Sequence, residues 1–168
     1  MAINQNRTNE QLALFPEPTL QVIPPRETRD DVHKGEVAET IAMLALKLAG
    51  YHCLPSMQGK KYDFGVELND GDFYRVQVKG TSSTKDRLRF NFMRGFHGSK
   101  HGVFPYSPND FEIACCVSVK DRKALFSPGV PNSISWSRAQ FNCEEMEVIS
   151  FEESIKAIKQ ARGGCHAA

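Results

Sequence analysis

No stretch of this sequence approaches the roughly 20 consecutive apolar residues that a membrane-spanning helix needs. The N-terminus lacks the charged-then-apolar pattern of a secretion signal. Net charge is nearly absent: 21 Lys and Arg stand against 20 Asp and Glu, leaving a formal +1. A field of one sign over the whole molecule therefore identifies no partner, and only local clusters can. Cysteine is sparse and unpatterned. The five residues, Cys53, Cys115, Cys116, Cys143 and Cys165, are odd in number and contain no C-x-x-C pair. Adjacent Cys115 and Cys116 would point to opposite faces of a strand, which suits neither a disulfide nor zinc. They read as reduced, mostly buried thiols of a cytoplasmic protein. Cys165-His166 falls in a tail expected to be disordered. No internal repeat or low-complexity tract is present.

What remains is enough for one domain with tails: an arm over 1–30, a folded domain over 31–162 and a tail over 163–168. The arm is rich in Asn, Gln and charge, and Pro16, Pro18, Pro24 and Pro25 prevent a regular helix. Asp30 or Asp31 can cap a helix whose apolar positions are Val37, Ile41, Leu44 and Leu48, with Gly50 just past its end. Strands are expected at Tyr51 to Leu54, Tyr62 to Leu68, Phe73 to Lys79, Leu88 to Phe92, Phe111 to Val119 and Lys123 to Phe126. Asn69-Asp70-Gly71-Asp72 is the turn of a hairpin. A loop is expected from Phe92 to about Pro108 and another from Pro128 to Ser135. A helical turn is expected at Trp136 to Phe141, with Trp136 in a satellite core. A strand at Glu147 to Ser150 and a helix at Glu152 to Arg162 follow. Helix, strands, then helix argues an α/β (α+β) domain with one mixed sheet flanked by helices.

One constellation carries chemistry: Glu39 on the first helix, Asp63 at the start of one strand, and Gln77-Val78-Lys79 on the next. Alternation puts Gln77 and Lys79 on one face and Val76 and Val78 toward the core. The hairpin brings Asp63 opposite the end of the following strand, and Glu39 reaches that point if the helix packs across it. Magnesium takes hard oxygen ligands and keeps several waters. Asp63 would be the central ligand and Glu39 a direct or water-mediated one. The Val78 carbonyl could contribute, and Gln77 could offer only a neutral amide oxygen. Lys79 would orient or deprotonate the attacking water. Singly, each of these residues is also what an ordinary solvated surface carries. Their joint order and strand parity point to hydrolysis of a phosphodiester.

These residues resemble the PD-(D/E)XK nuclease superfamily, most closely the archaeal Holliday-junction resolvases and the small homing endonucleases of group I introns. Lys34-Gly35-Glu36-Val37-Ala38-Glu39 is similar to the family's opening helix motif, whose final glutamate is catalytic; Glu36 is the second choice. Gly59-Lys60-Lys61-Tyr62-Asp63 resembles the lead-in to the metal-binding aspartate, and Arg75-Val76-Gln77-Val78-Lys79 the (D/E)XK strand. The hairpin from Tyr106 to Phe126 looks like the one that follows it. The likeness spans roughly residues 33–127. Two departures stand out. No proline precedes Asp63, and Gln77 replaces the acidic residue, as the homing-endonuclease branch also does. The resemblance implies a restriction-endonuclease-like core and magnesium-dependent cleavage of DNA, with manganese able to substitute. It also implies a role near the nucleoid and dimerisation, so that two sites cut two strands. The glutamine keeps a rival open, a non-catalytic DNA- or clamp-binding module on the same fold.

Two segments suggest partners. Lys85, Arg87, Arg89, Arg94 and Lys100 form a basic stripe with Asp86 as its only acid, suited to phosphates. His97 and His101 lie among glycines, which argues against a helical zinc pair. In the arm, Gln11-Leu12-Ala13-Leu14-Phe15 resembles the pentapeptide by which bacterial replication and repair proteins bind the β sliding clamp. Leu12, Leu14 and Phe15 would supply the apolar anchor and Gln11 polar contacts at its edge.

Overall fold

The computed structural model describes residues 30–95 and 102–164. The expectations for Gln11, Leu12, Leu14 and Phe15, for His97, Lys100 and His101, and for Cys165-His166 lie outside the described residues. Helix α1 covers Asp30–Leu48. Strands β1 His52–Pro55, β2 Phe64–Glu67, β3 Phe73–Thr81, β4 Arg87–Asn91, β5 Met93–Gly95, β6 Val103–Pro105, β7 Ile113–Ser118, β8 Lys123–Pro128 and β9 Ser133–Ser137 follow, then helices α2 Arg138–Phe141 and α3 Met146–Gly164. No helix among the described residues is long and apolar enough to cross a membrane.

Five strands form one mixed sheet in the order β1-β2-β3-β7-β8. The β3–β7 pair is parallel and the other pairs are antiparallel. Strand β7 is buried at every position, as its nearly continuous apolar run predicts for an interior strand covered on both faces. Alternation divides the side chains between two cores. Val76, Val78, Ile113, Cys115, Val117 and Phe126 meet α1 and α3 on one face. Ala114, Cys116 and Leu125 meet Leu88, Phe90, Phe92 and Phe141 on the other. The result is three layers: two helices, the sheet, and a β4–β9 ribbon with α2. Cys53, Cys115 and Cys116 are buried free thiols, whereas Cys143 is exposed.

Helix α1 ends as predicted, at Gly50 with φ +89. Gly50 N–H donates to Lys47 O at 3.0 Å and Tyr51 N–H to Leu46 O at 3.0 Å, a Schellman ending. Its buried stripe, however, lies one residue further round than predicted. Ala38, Ala42 and Leu46 are buried, while Leu44 and Leu48 are 53% and 80% exposed. Close approach decides this: a Cβ added at Gly80 would lie 2.6 Å from Ala38 Cβ, so the helix rests on the sheet through alanine against glycine.

Three predicted elements need correction. Residues 133–135, expected as loop, belong to β9, which pairs with β4 and runs through Trp136. Its serines hide the alternation, but Ile134 and Trp136 point into the second core. Residues 147–150, expected as a strand, open helix α3. There the Glu147 carboxylate accepts Ala124 N–H at 2.8 Å and the Ser150 hydroxyl accepts Phe126 N–H at 3.1 Å, which covers the free edge of β8. The loop after Phe92 contains the β5–β6 hairpin.

Gly80→Val should cost about 1–3 kcal/mol by forcing α1 off the sheet. Urea denaturation measures it, and an unchanged midpoint would contradict the close contact.

Candidate active site

The site arises because two neighbouring strands differ in length. Strand β2 starts at Phe64, opposite Val76, while β3 continues to Thr81. On its other edge β3 stays paired with β7 through Thr81. The edge facing β2 would therefore expose its peptide groups from Gln77 onward. Asp63, one residue before β2 rather than within it, closes this gap. Its N–H donates to Val76 O at 2.9 Å. Its Oδ2 accepts the Val78 N–H at 2.6 Å and the Gln77 Nε2 at 2.6 Å. The second carboxylate oxygen, Oδ1, makes no hydrogen bond among the described residues.

Helix α1 roofs the gap. Lys34, Gly35, Ala38 and Glu39 line one side of a cavity of about 410 Å³, and Asp63 and residues 77–80 line the other. Glu39, not Glu36, faces this space. Burial, then the Asp63 carboxylate, then Glu36 push the Glu39 carboxyl up to about 7. Burial also raises Asp63, against the lowering pull of the Val78 N–H, Lys79 and Gln77. Lys79 is lowered by burial and partly restored by Asp63.

The anionic groups carried by the lining residues are the Asp63 and Glu39 carboxylates, and the Val78 carbonyl adds a neutral oxygen on the same strand. No group of three His, Cys, Asp or Glu side chains that could hold an ion exists among the described residues. A divalent ion here would complete its shell with amide or carbonyl oxygens and water, as magnesium does. Gln77 turns its amide nitrogen to Asp63 and, at 3.3 Å, to the Val78 carbonyl. Rotation of the amide would present its oxygen instead. Two half-buried carboxylates with raised affinity for protons fit a cation.

The structure adds Tyr106, which sequence reasoning missed. Lys79 Nζ and Arg94 Cζ each lie 5.7 Å from its ring centroid. Burial and Asp63 push its phenol up to about 12. Its only sequence signal is an aromatic beside a basic stripe. Arg94, from that stripe, is half-buried at this ring; its Nη2 donates to Pro105 O at 3.3 Å, and its buried Nε has no hydrogen-bond partner among the described residues. Lys85, Arg87 and Arg89 are exposed and do not line the cavity.

A family model described as PD-(D/E)XK endonuclease matches residues 29–147, well over half of the chain. Among solved structures, the bacterial homing endonuclease I-Ssp6803I is similar, with a TM-score of 0.52 and 24% sequence identity over 64% of this chain and 78% of that chain. At that identity the likeness is one of fold. No curated protein matches the sequence.

Because the folded-state value of Glu39 lies above its ordinary 4.5, the metal-free fold binds a proton that the unfolded chain releases. That contribution is complete below pH 4.5 and is lost as pH rises through about 7. Melting temperature of the chelated protein should therefore fall between pH 5 and 8 by a few degrees, and magnesium or manganese should restore it at the upper end. Glu39→Gln should flatten the decline. An unaltered slope in that variant would remove Glu39 as its source.

Proposed function

The chain belongs to the PD-(D/E)XK endonuclease family, and we propose that it hydrolyses DNA phosphodiesters with a divalent ion, magnesium or manganese, held by Asp63 and Glu39. The observation that carries this reading is the single cavity on which Asp63, Glu39, the Val78 carbonyl and Lys79 converge. Asp63 is fixed by the hydrogen bonds at one oxygen and offers the other. Glu39 enters from α1 on the opposite wall. The Val78 carbonyl and, after rotation, the Gln77 amide oxygen complete the protein donors. Bound there, the ion would supply positive charge to the scissile phosphate and lower the pKa of a water.

Lys79 holds and orients the attacking water at Nζ. Burial lowers its proton affinity, so a larger fraction of the amine is free to accept the water's proton than for a solvated lysine. The Tyr106 ring limits where that side chain can swing. Arg94, beside the same ring, stands where it can meet phosphate charge. Lys85 follows β3 in sequence and suits a flanking phosphate. The reaction is direct displacement by water, with no covalent enzyme intermediate.

Gln77 is the observation that favours a second reading, a DNA-binding module without catalysis. Its amide gives a weaker ligand than a carboxylate. Lys79→Ala separates the two. On linear, supercoiled, flapped, forked and four-way DNA with magnesium, the variant should lose about 100-fold or more of the cleavage rate, as EDTA does to wild type. The same panel distinguishes a junction resolvase from a site-specific homing endonuclease. Equal cleavage by wild type and variant would remove Lys79 from the mechanism.

Recruitment by the β sliding clamp is a separate proposal, supported by Gln11-Leu12-Ala13-Leu14-Phe15 alone. Tethering would raise the local concentration of DNA without stronger intrinsic binding. Leu14→Ala with Phe15→Ala should abolish clamp binding in a pull-down or titration and leave cleavage of free DNA unchanged. Undiminished clamp affinity in the double variant would sink the tether.

A further inference from the structure

The β4–β9 ribbon has one face that the fold does not use. Leu88 and Phe90 of β4, with Ile134 and Trp136 of β9, point into the second core. The alternate residues point outward: Arg87, Arg89 and Asn91 from one strand, Ser133 and Ser135 from the other, all exposed. The register sets Arg89 beside Ser135 and Asn91 beside Ser133. Neither strand contains an acid. None of the five side chains makes a hydrogen bond or ion pair among the described residues. Several cations elsewhere are committed within the fold: Lys61, Arg75, Lys123, Arg138 and Lys159 each hold a carboxylate. Others, such as Lys60, Lys120 and Arg122, are as free of ion pairs among the described residues as the ribbon's arginines.

Shape and chemistry select a partner. A two-stranded antiparallel ribbon is an element that the major groove of duplex DNA admits. Residues on one face of a strand repeat every ~6.8 Å, about two base-pair rises of ~3.4 Å. The side chains are those that address base edges there: arginine forks for guanine, asparagine for adenine, serine for either. The ribbon is also tied to the segment that leaves the proposed catalytic strand. Arg138, directly after β9, donates from Nη2 to Ser83 O at 2.6 Å and from Nε to Lys85 O at 3.2 Å, and its N–H reaches Asp86 O at 2.7 Å. Its guanidinium also holds Asp121, which accepts from Ser118 at the end of β7. Arg87 lies eight positions beyond Lys79, which bounds their Cα spacing at ~28 Å. That is less than the ~34 Å of one DNA turn.

We propose that the β4–β9 ribbon is the sequence-reading element, lying in the major groove of duplex DNA with Arg87, Arg89 and Asn91 addressing base edges, Arg87 within one turn of the cut. This rests on the nuclease reading of the cavity. A solvated arginine pair, or one that only touches phosphates, is the alternative that the experiment separates.

The experiment selects duplexes by binding from a pool with a randomised central stretch, using Lys79→Ala so that nothing is cut. Arg89→Lys and Arg89→Ala are compared in the same background, with thermal melts to verify folding. The expected result is enrichment of particular bases. Discrimination at one position should drop about tenfold in both Arg89 variants. Arg89→Lys loses the fork but keeps the charge, so its salt dependence stays as before. An unenriched pool would overturn the proposal. So would preferences that persist in Arg89→Ala while affinity falls evenly across sequences with a shallower salt slope, the mark of a phosphate contact. Wild type is then tested for cleavage of the enriched duplex. Enrichment that depends on Arg89 without cleavage would uphold the ribbon and sink the nuclease reading. Cleavage without Arg89-dependent preference would do the reverse.

Discussion

The bond from the Val78 N–H to the Asp63 carboxylate, 2.6 Å long, is the contact on which the site depends. Ending β2 early leaves donors and acceptors of an interior strand facing nothing. A buried N–H without a partner costs about 1–3 kcal/mol. The fold could have avoided that by extending β2 for two more residues, and the cavity would then have been filled with backbone. A carboxylate in place of the missing residue satisfies the amide and keeps the space open. It also fixes Asp63 with one oxygen committed and one free. The carboxylate that completes the sheet through one oxygen is thus the group proposed to hold the ion through the other, so stability and chemistry share a residue.

The roof over that space follows from side-chain size. Gly80 and Ala38 let α1 come down on β3, and Glu39 is one residue beyond Ala38. Bulkier residues at either position would lift the helix and widen the distance between Glu39 and Asp63. Close packing has an electrostatic consequence. It takes two carboxylates partly out of water and sets them near each other, and both hold protons more tightly as a result. The two features are coupled: the alanine–glycine contact that stabilises the layer is what makes the pair repel. A bound cation reverses the sign of that second term.

How far these features can be read from the chain differs by element. The mixed sheet, the Asn69–Asp72 hairpin and the convergence of Asp63, Gln77 and Lys79 follow from period-two alternation and turn residues, and the fold has all three. The rotation of α1 does not. Val37, Ile41, Leu44 and Leu48 make the stronger hydrophobic pattern, but Ala38 and Ala42 win because the facing strand presents glycine, which no one-dimensional period encodes. Strand β9 was hidden for a related reason: serines at alternate positions carry no hydrophobic signal, and the register comes only from pairing with β4. The start of α3 is not legible because Glu147 and Ser150 hold the edge of β8, a tertiary role that local propensity does not express. Tyr106 carries no such signal because it joins the site from a separate hairpin and is identified only by what surrounds it.

Gln77 is the residue whose chemistry most needs explanation, and its hydrogen bonds suggest one. A carboxylate at that position would add a third negative group to a cavity where Glu39 is already pushed to about 7. It could not donate to Asp63 unless protonated. The amide instead donates at 2.6 Å and holds Asp63 in place before any ion arrives. On the proposed mechanism this exchanges ligand charge for preorganisation: the empty site is less strained, and the ion meets two carboxylates rather than three. Weaker affinity for the ion follows, because each hard cation–oxygen contact is stronger to an anion than to an amide dipole. The ion must also compete with the Gln77 amide hydrogens at Asp63, so binding and rotation of that amide are coupled. A site built this way takes up its metal at higher free concentration than one with an acid at the same position, while its metal-free form is the more stable of the two at neutral pH.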